Sequence, residues 1–367
     1  MSIGSSNTRP DEMNRRNLLC MLGFLIGTFL LSGALPQGPA KQEELLRQWK
    51  SSLKEFPPLK KSIELEFRFS FPSEELSDRG VYLWQPVDMA SDSRGNIYVL
   101  DQKQKSIFKF DSEGRFLFKK GQHGQGPGDF VNPFCIYVEK TSVFVSDTLK
   151  HDIQVFDLDL NLLRSLKLKR AYTDLAISDS GLIVATPFRM SRDMPLIDVL
   201  DQKGNVLYSF GEPMFGSSVK WNVPNFVKVD INRKGDVFLA FQHFPVVCKY
   251  SIQGKLISVY KIDHKGMRLA EKLNLEHMED LNTEITWQAI YAVQVRENGF
   301  LILHNYPIIE ILEFDQAGQL MNDYWAARSH DYQVGEFIVR EPNDKGHAEI
   351  LLMATSPENR IEVFTIK

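Results

Sequence analysis

Cysteine is scarce in this 367-residue chain: three occur, Cys20, Cys135 and Cys248. That is too few for a disulfide framework at this length. Cys135 and Cys248 stand in apolar strand-like runs, "FCIYV" and "VVCKY", which predicts buried free thiols. Excess positive charge is missing as well. The 43 Lys and Arg face 47 Asp and Glu, a net charge of -4, so no overall basic field attracts nucleic acid or anionic lipid. The eight histidines show no HxxxH or HExxH spacing, and GxSxG is absent, which removes the helical zinc motif and the hydrolase nucleophile elbow. The glycine-rich "GQHGQGPGDFVNP", Gly121 to Pro133, lacks the terminal Gly-Lys-Ser/Thr of a phosphate loop and runs into a strand instead of a helix.

What is present is an ordinary globular balance, 43% hydrophobic and 25% charged, too apolar for a disordered chain. The N-terminus stands apart from it. Arg15 and Arg16 precede the uncharged run Leu18 to Leu35, and small residues and "PQGPA" follow. This is the layout of an export signal, at a length that also leaves an uncleaved membrane anchor open. Cys20 follows Leu19 and not a small residue, which excludes a lipoprotein cysteine. Residues 1–40 are therefore read as signal or anchor, and 41–61 as an amphipathic helix and linker, with Leu45, Leu46, Trp49, Leu53 and Phe56 on one stripe before Pro57 and Pro58.

From residue 62 the period changes to two, beginning with the strand "IELEFRFSF". A repeat follows. "PVDMASDSRGNIYVLDQKQKSIFKFDSEGRFLFKKG" reads as four antiparallel strands with Asp-x-x-Gly turns, in which Asp bonds its own backbone and Gly accepts positive φ. Gly114 to Gly204 is 90 residues and Gly95 to Gly235 is 140, a period of about 45, with four strands per unit. That is the signature of propeller blades. The last unit has three strands, and "IELEFRFSF" supplies the fourth, which closes a ring of six blades without an open edge. A helix-like insertion with Met267, Leu273, Leu281 and Ile285 interrupts units four and five.

The unit "P-x-x-hydrophobic-A-x-D-x-x-G-x-I-Y-V-x-D", followed by "I-x-x-F-D-x-x-G" and "G-x-x-G-x-G-P-G-x-F-x-x-P", resembles the NHL-repeat six-bladed β-propellers, and among them the exported bacterial six-bladed propeller proteins. The resemblance implies an all-β six-bladed ring over residues 62–367. Its relatives include both binding scaffolds and metal-dependent lyases and lactonases, so fold does not select function.

Two sets of residues are candidates for function. At the end of the second strand of successive units stand Asp101, Asp147, Thr186, Phe241, His304 and Ala354. Asp101, Asp147 and His304 could hold a divalent ion such as calcium at the central channel of a metal-dependent lyase or lactone hydrolase; as an alternative, Asp at this place caps a turn. Before the first strands stand Trp84, Phe130, Tyr172, Trp221, Trp287 and Tyr332, one aromatic per blade. These either plug the seams or form a binding face with His243; if any are exposed, Trp221 and Trp287 beside the insertion are the pair to expect. The leading expectation is a monomeric, extracytoplasmic, non-catalytic scaffold without cofactor, for a protein, peptide or glycan partner and not nucleic acid.

Overall fold

The computed structural model describes residues 62–188, 194–214, 225–279, 287–305, 308–326, 333–340 and 348–366, with the backbone alone for His277 to Glu279. The signal or anchor, the tether helix, Trp221 and Tyr332 lie outside the described residues. Chain order begins with β1 (Ser62–Glu64), β2 (Glu66–Phe71) and the short α1 (Glu74–Asp78). Blade one is β3 (Pro86–Ser91), β4 (Ile97–Asp101), β5 (Ser106–Phe110) and β6 (Phe116–Lys120). Blade two is β7 (Pro133–Glu139), β8 (Ser142–Asp147), β9 (Asp152–Asp157) and β10 (Leu162–Lys167). Blade three is β11 (Tyr172–Ile177), β12 (Ile183–Pro187), β13 (Ile197–Leu200) and β14 (Val206–Phe210). Blade four is β15 (Val227–Ile231), β16 (Asp236–Phe241), β17 (Val246–Ser251) and β18 (Leu256–Lys261), followed by α2 (Lys265–Glu279). Blade five is β19 (Ala292–Arg296), β20 (Gly299–Asn305), β21 (Ile309–Asp315) and β22 (Leu320–Ala326). Blade six is β23 (Gln333–Arg340), β24 (Glu349–Ser356) and β25 (Arg360–Thr365), completed by β2 on its outer edge.

The turns explain why the repeat folds this way. In blade one, Asp92 Oδ1 accepts from the amides of Arg94 and Asn96 at 2.9 Å each, while Gly95 takes φ 80°. The same arrangement recurs at Asp111, Asp157, Asp201 and Asp315, and with Asn232 in the aspartate's place. In blade two the glycine is replaced by Leu160, which keeps the left-handed φ, 58°, and is buried at 2% exposure. Burial of that side chain offsets the conformational cost that a β-carbon adds there.

The first strands β3, β7, β11, β15, β19 and β23 each lie beside the next and close the ring around an axis. Apolar side chains gather between blades, not at one centre. Six buried clusters are found among the described residues, one per seam, from Phe130 and Val145 between blades one and two to Phe71 and Val363 between six and one. The glycine-rich segment is the joint at the first seam. Phe130 is fully buried, a β-carbon on Gly121 would lie 2.7 Å from its ring, and Lys150 Nζ and Gln154 Nε2 donate to the carbonyl of Asp129 at 2.8 and 2.7 Å.

Two expectations change. "IELEFRFSF" is not one strand: it breaks at buried Leu65, so that β1 pairs in parallel with β22 of blade five while β2 joins blade six. Trp287, one of the pair that would be exposed if any entrance aromatic were, is 7% exposed and plugs the seam of blades four and five with Met267 of α2. Cys135 and Cys248 are buried free thiols, as their sequence context predicts. No helix of the described residues is long and apolar enough to cross a membrane.

Candidate functional site

The described cavity lies on the axis, with a volume of about 280 Å³, and all six first strands contribute to its wall. Its lining runs from Asp88, Asp174 and Glu336 to Ser91, Val138, Ile231 and Val295, and so extends toward the turns that end the first strands. The entrance aromatics are on the opposite face, where those strands begin.

Four carboxyl groups line the cavity, Asp88, Asp174, Asp230 and Glu336, with the single ammonium of Lys228. Three of the acids tie neighbouring blades together. Asp88 Oδ2 accepts from the Ile136 amide at 2.8 Å, Asp174 Oδ2 from Val229 at 2.7 Å and Asp230 Oδ2 from Val295 at 2.7 Å. Gln294 does the same for Val339 at 2.9 Å. Glu336 differs, since Oε1 accepts from the following amide, Phe337, at 3.0 Å, and Oε2 lies 3.6 Å from Lys228 Nζ. Lys228 also stands 3.7 Å from Asp174.

Burial raises the pKa of all four acids. It pushes Asp88 up to about 7, with Lys228 opposing and Asp174 adding to the rise. Asp230 also reaches about 7 by burial, against the amides of Val295 and Ile231 that favour its anion. Glu336 is raised by burial to about 8, with Lys228 opposing. Burial would lower Lys228, but Asp174, Glu336 and Asp88 outweigh it and hold the ammonium charged. Asp88 and Asp174 with the thiol of Cys135 also offer donor atoms within 4.8 Å of one another.

The structure does not bring Asp101, Asp147 and His304 together. Asp101 accepts from the amides of Trp84, Gln85 and Gln104, at 2.5, 3.1 and 2.8 Å. Asp147 accepts from Val131 at 2.6 Å, Asn132 at 2.9 Å, Leu149 at 3.2 Å and Lys150 at 3.0 Å. These buried carboxylates hold blade entrances closed, and their oxygens already accept backbone amides, which is the turn-capping alternative for Asp101 and Asp147. Of the aromatic face, Trp84 alone among the described members is exposed, at 55%, with Lys103 over its ring at 5.3 Å. Tyr172 is buried and donates to Asp198 at 2.8 Å. His243 is buried, Nδ1 3.2 Å from the Trp287 carbonyl, in a neutral ring whose pKa burial lowers to about 4.

His304 has other neighbours. His264, just before α2, His304 at the end of β20 and Glu310 in β21 place donor atoms within 4.8 Å of one another. His264 Nε2 is 3.5 Å from Glu310 Oε1, and the two imidazoles stand 6.0 Å apart at 69°. His304 Nδ1 is 2.7 Å from the carbonyl of Ala289, which can only accept, so that nitrogen carries the proton. Burial lowers His264 to about 3 with His304 adding to the effect, and raises Glu310 well above the usual range with Asp323 adding.

The chain belongs to a family described as 6-bladed beta-propeller (DUF5128), whose model matches residues 82–306. It is similar in fold to a Bacteroides fragilis NCTC 9343 protein predicted to be exported, at 13% identity and TM-score 0.56 over 83% of this chain and 99% of that one. A DUF4221 family member from Bacteroides vulgatus gives 12% identity and TM-score 0.56 over 84% and 98%. By sequence, 132 residues are 25% identical to the Drosophila melanogaster protein brain tumor, covering 35% of this chain and 12% of that protein. These likenesses carry the fold.

Proposed function

We propose that this protein is an extracytoplasmic, non-catalytic binding propeller that takes a cationic side chain of a peptide or protein partner into its axial cavity. The observation that carries the reading is the imbalance of four carboxyl groups against one lysine in a cavity of about 280 Å³. Such a volume admits a side chain and its flanking backbone, not a folded domain. Lys228 serves as the internal template, an ammonium held 3.6 and 3.7 Å from two of these acids. A second cation would turn the remaining raised acids into anions and release protons. Export rests on the apolar run Leu18 to Leu35 behind Arg15 and Arg16.

The test is calorimetry of the full chain with peptides bearing lysine or arginine and their alanine counterparts, in buffers of different ionisation enthalpy. The cationic peptides should bind with proton release, and Glu336→Gln should weaken them about tenfold, the worth of one charge-assisted contact. Equal binding of the alanine peptides, or an unchanged affinity in Glu336→Gln, would remove the cavity from the reading.

A further inference from the structure

We propose that His264, His304 and Glu310, backed by Asp323, form a binding site for a first-row divalent transition metal of the zinc type, where the insertion meets blade five. It shares no residue with the axial cavity and does not depend on it.

The fold assembles the site from three directions. His304 and Glu310 face each other across β20 and β21, and Asp323 lies opposite Leu312, two residues on from Glu310 and so on the same side of the sheet. His264 comes from the segment entering α2, where its carbonyl accepts from the Arg268 amide at 2.9 Å and is fixed by the first helical turn. The helix itself is held down: Met267 is fully buried in the seam cluster, and the Asn274 side chain bonds the carbonyls of His243 and Trp287 at 2.6 and 2.7 Å. The insertion therefore delivers one imidazole to a face that already carries another imidazole and two acids.

The chemistry of the set selects the ligand class. Two imidazoles and a carboxylate suit zinc and its neighbours and are poor for calcium or magnesium, which prefer oxygen alone. The proton on His304 Nδ1, directed at the Ala289 carbonyl, leaves Nε2 with the lone pair, the outer-layer hydrogen bond that metal-bound histidines make. Donors about 2.1 Å from one tetrahedral ion lie about 3.4 Å apart, which His264 Nε2 and Glu310 Oε1 meet at 3.5 Å, while His304, within 4.8 Å of both, reaches it by a side-chain rotation.

A second observation is independent of this spacing. Asp323 is 6% exposed, and its Oδ1 has no hydrogen-bond partner; His264 Nδ1 is likewise buried without one. Buried carboxylates are normally paired or bound to metal. Glu310 and Asp323 together supply two negative charges, the number that neutralises a divalent ion beside neutral imidazoles. Of the cations near His264, Arg268 is bonded to Asp263, outside the set.

The full chain, stripped with chelator and dialysed, is titrated with Zn²⁺, and separately with Co²⁺ followed by its visible absorption. One equivalent should bind, the Co²⁺ bands should report nitrogen and oxygen donors, and zinc should raise the melting temperature. His264→Ala, which leaves the strands intact, and Glu310→Gln should each weaken binding by about 100-fold or more, while His123→Ala at an exposed histidine should not. Absence of stoichiometric binding, or affinity unchanged in folded His264→Ala and Glu310→Gln by circular dichroism, would overturn the proposal.

Discussion

Blades two and five each bury acids, and the two blades treat them in opposite ways. Asp147 is surrounded by backbone amides from two loops and sits where the chain needs an acceptor. Glu310 and Asp323 are buried too, yet Asp323 Oδ1 meets no donor and Glu310 faces a histidine. The difference teaches how to read a carboxylate in this fold. When amides converge on it, the acid belongs to the scaffold; when they do not, its burial costs stability that some other role must offset.

Removing the amide-bound acid is the most damaging way to probe this contrast. Asp147→Ala strands buried amides and should cost about 3 kcal/mol of unfolding free energy in denaturant melts, with Asp147→Asn losing less because one oxygen survives. The orphaned acid should behave in reverse. Burial raises Asp323 to about 6, above its unfolded value, so the native state binds more protons and loses stability as pH rises from about 4 to 6. Asp323→Asn in metal-free protein should then gain about 2 kcal/mol at pH 7.5 and nothing at pH 4. A loss at pH 7.5 would show that the carboxylate has a donor after all. The smallest effect belongs to Asp111, which accepts two amide bonds at a half-buried turn beside solvent-exposed Arg115. There water replaces the lost acceptor, and Asp111→Ala should cost about 1 kcal/mol.

The ring was legible in the sequence because Asp-x-x-Gly turns recur at a fixed period and each has a local cause. The closure by the N-terminal segment was legible too, but not the break at Leu65, since β1 and β2 carry one uninterrupted alternation. Trp287 looked like a surface residue because it borders an insertion, whereas α2 folds back over it. The metal candidate could not be read from spacing: His264, His304 and Glu310 come from a loop and two strands, with no local motif. A weaker signal existed in "PIIEILEF", where Glu310 stands inside an apolar strand that has no place for a charge. The axial acids carry no shared motif along the chain; Asp88, Asp174 and Glu336 occupy first strands, which line the cavity.

The break at Leu65 also governs how the ring comes apart. In an open array of repeats the terminal unit can fray while its neighbours stay folded. Here β1 is bonded to blade five and β2 to blade six, with the last strand of the chain between β2 and the rest of that blade. Releasing β1 and β2 loosens two blades and opens the closing seam, and β25 cannot leave without freeing β2. The ring has a clasp that spans two links, so amide exchange should find its ends protected together and lost together.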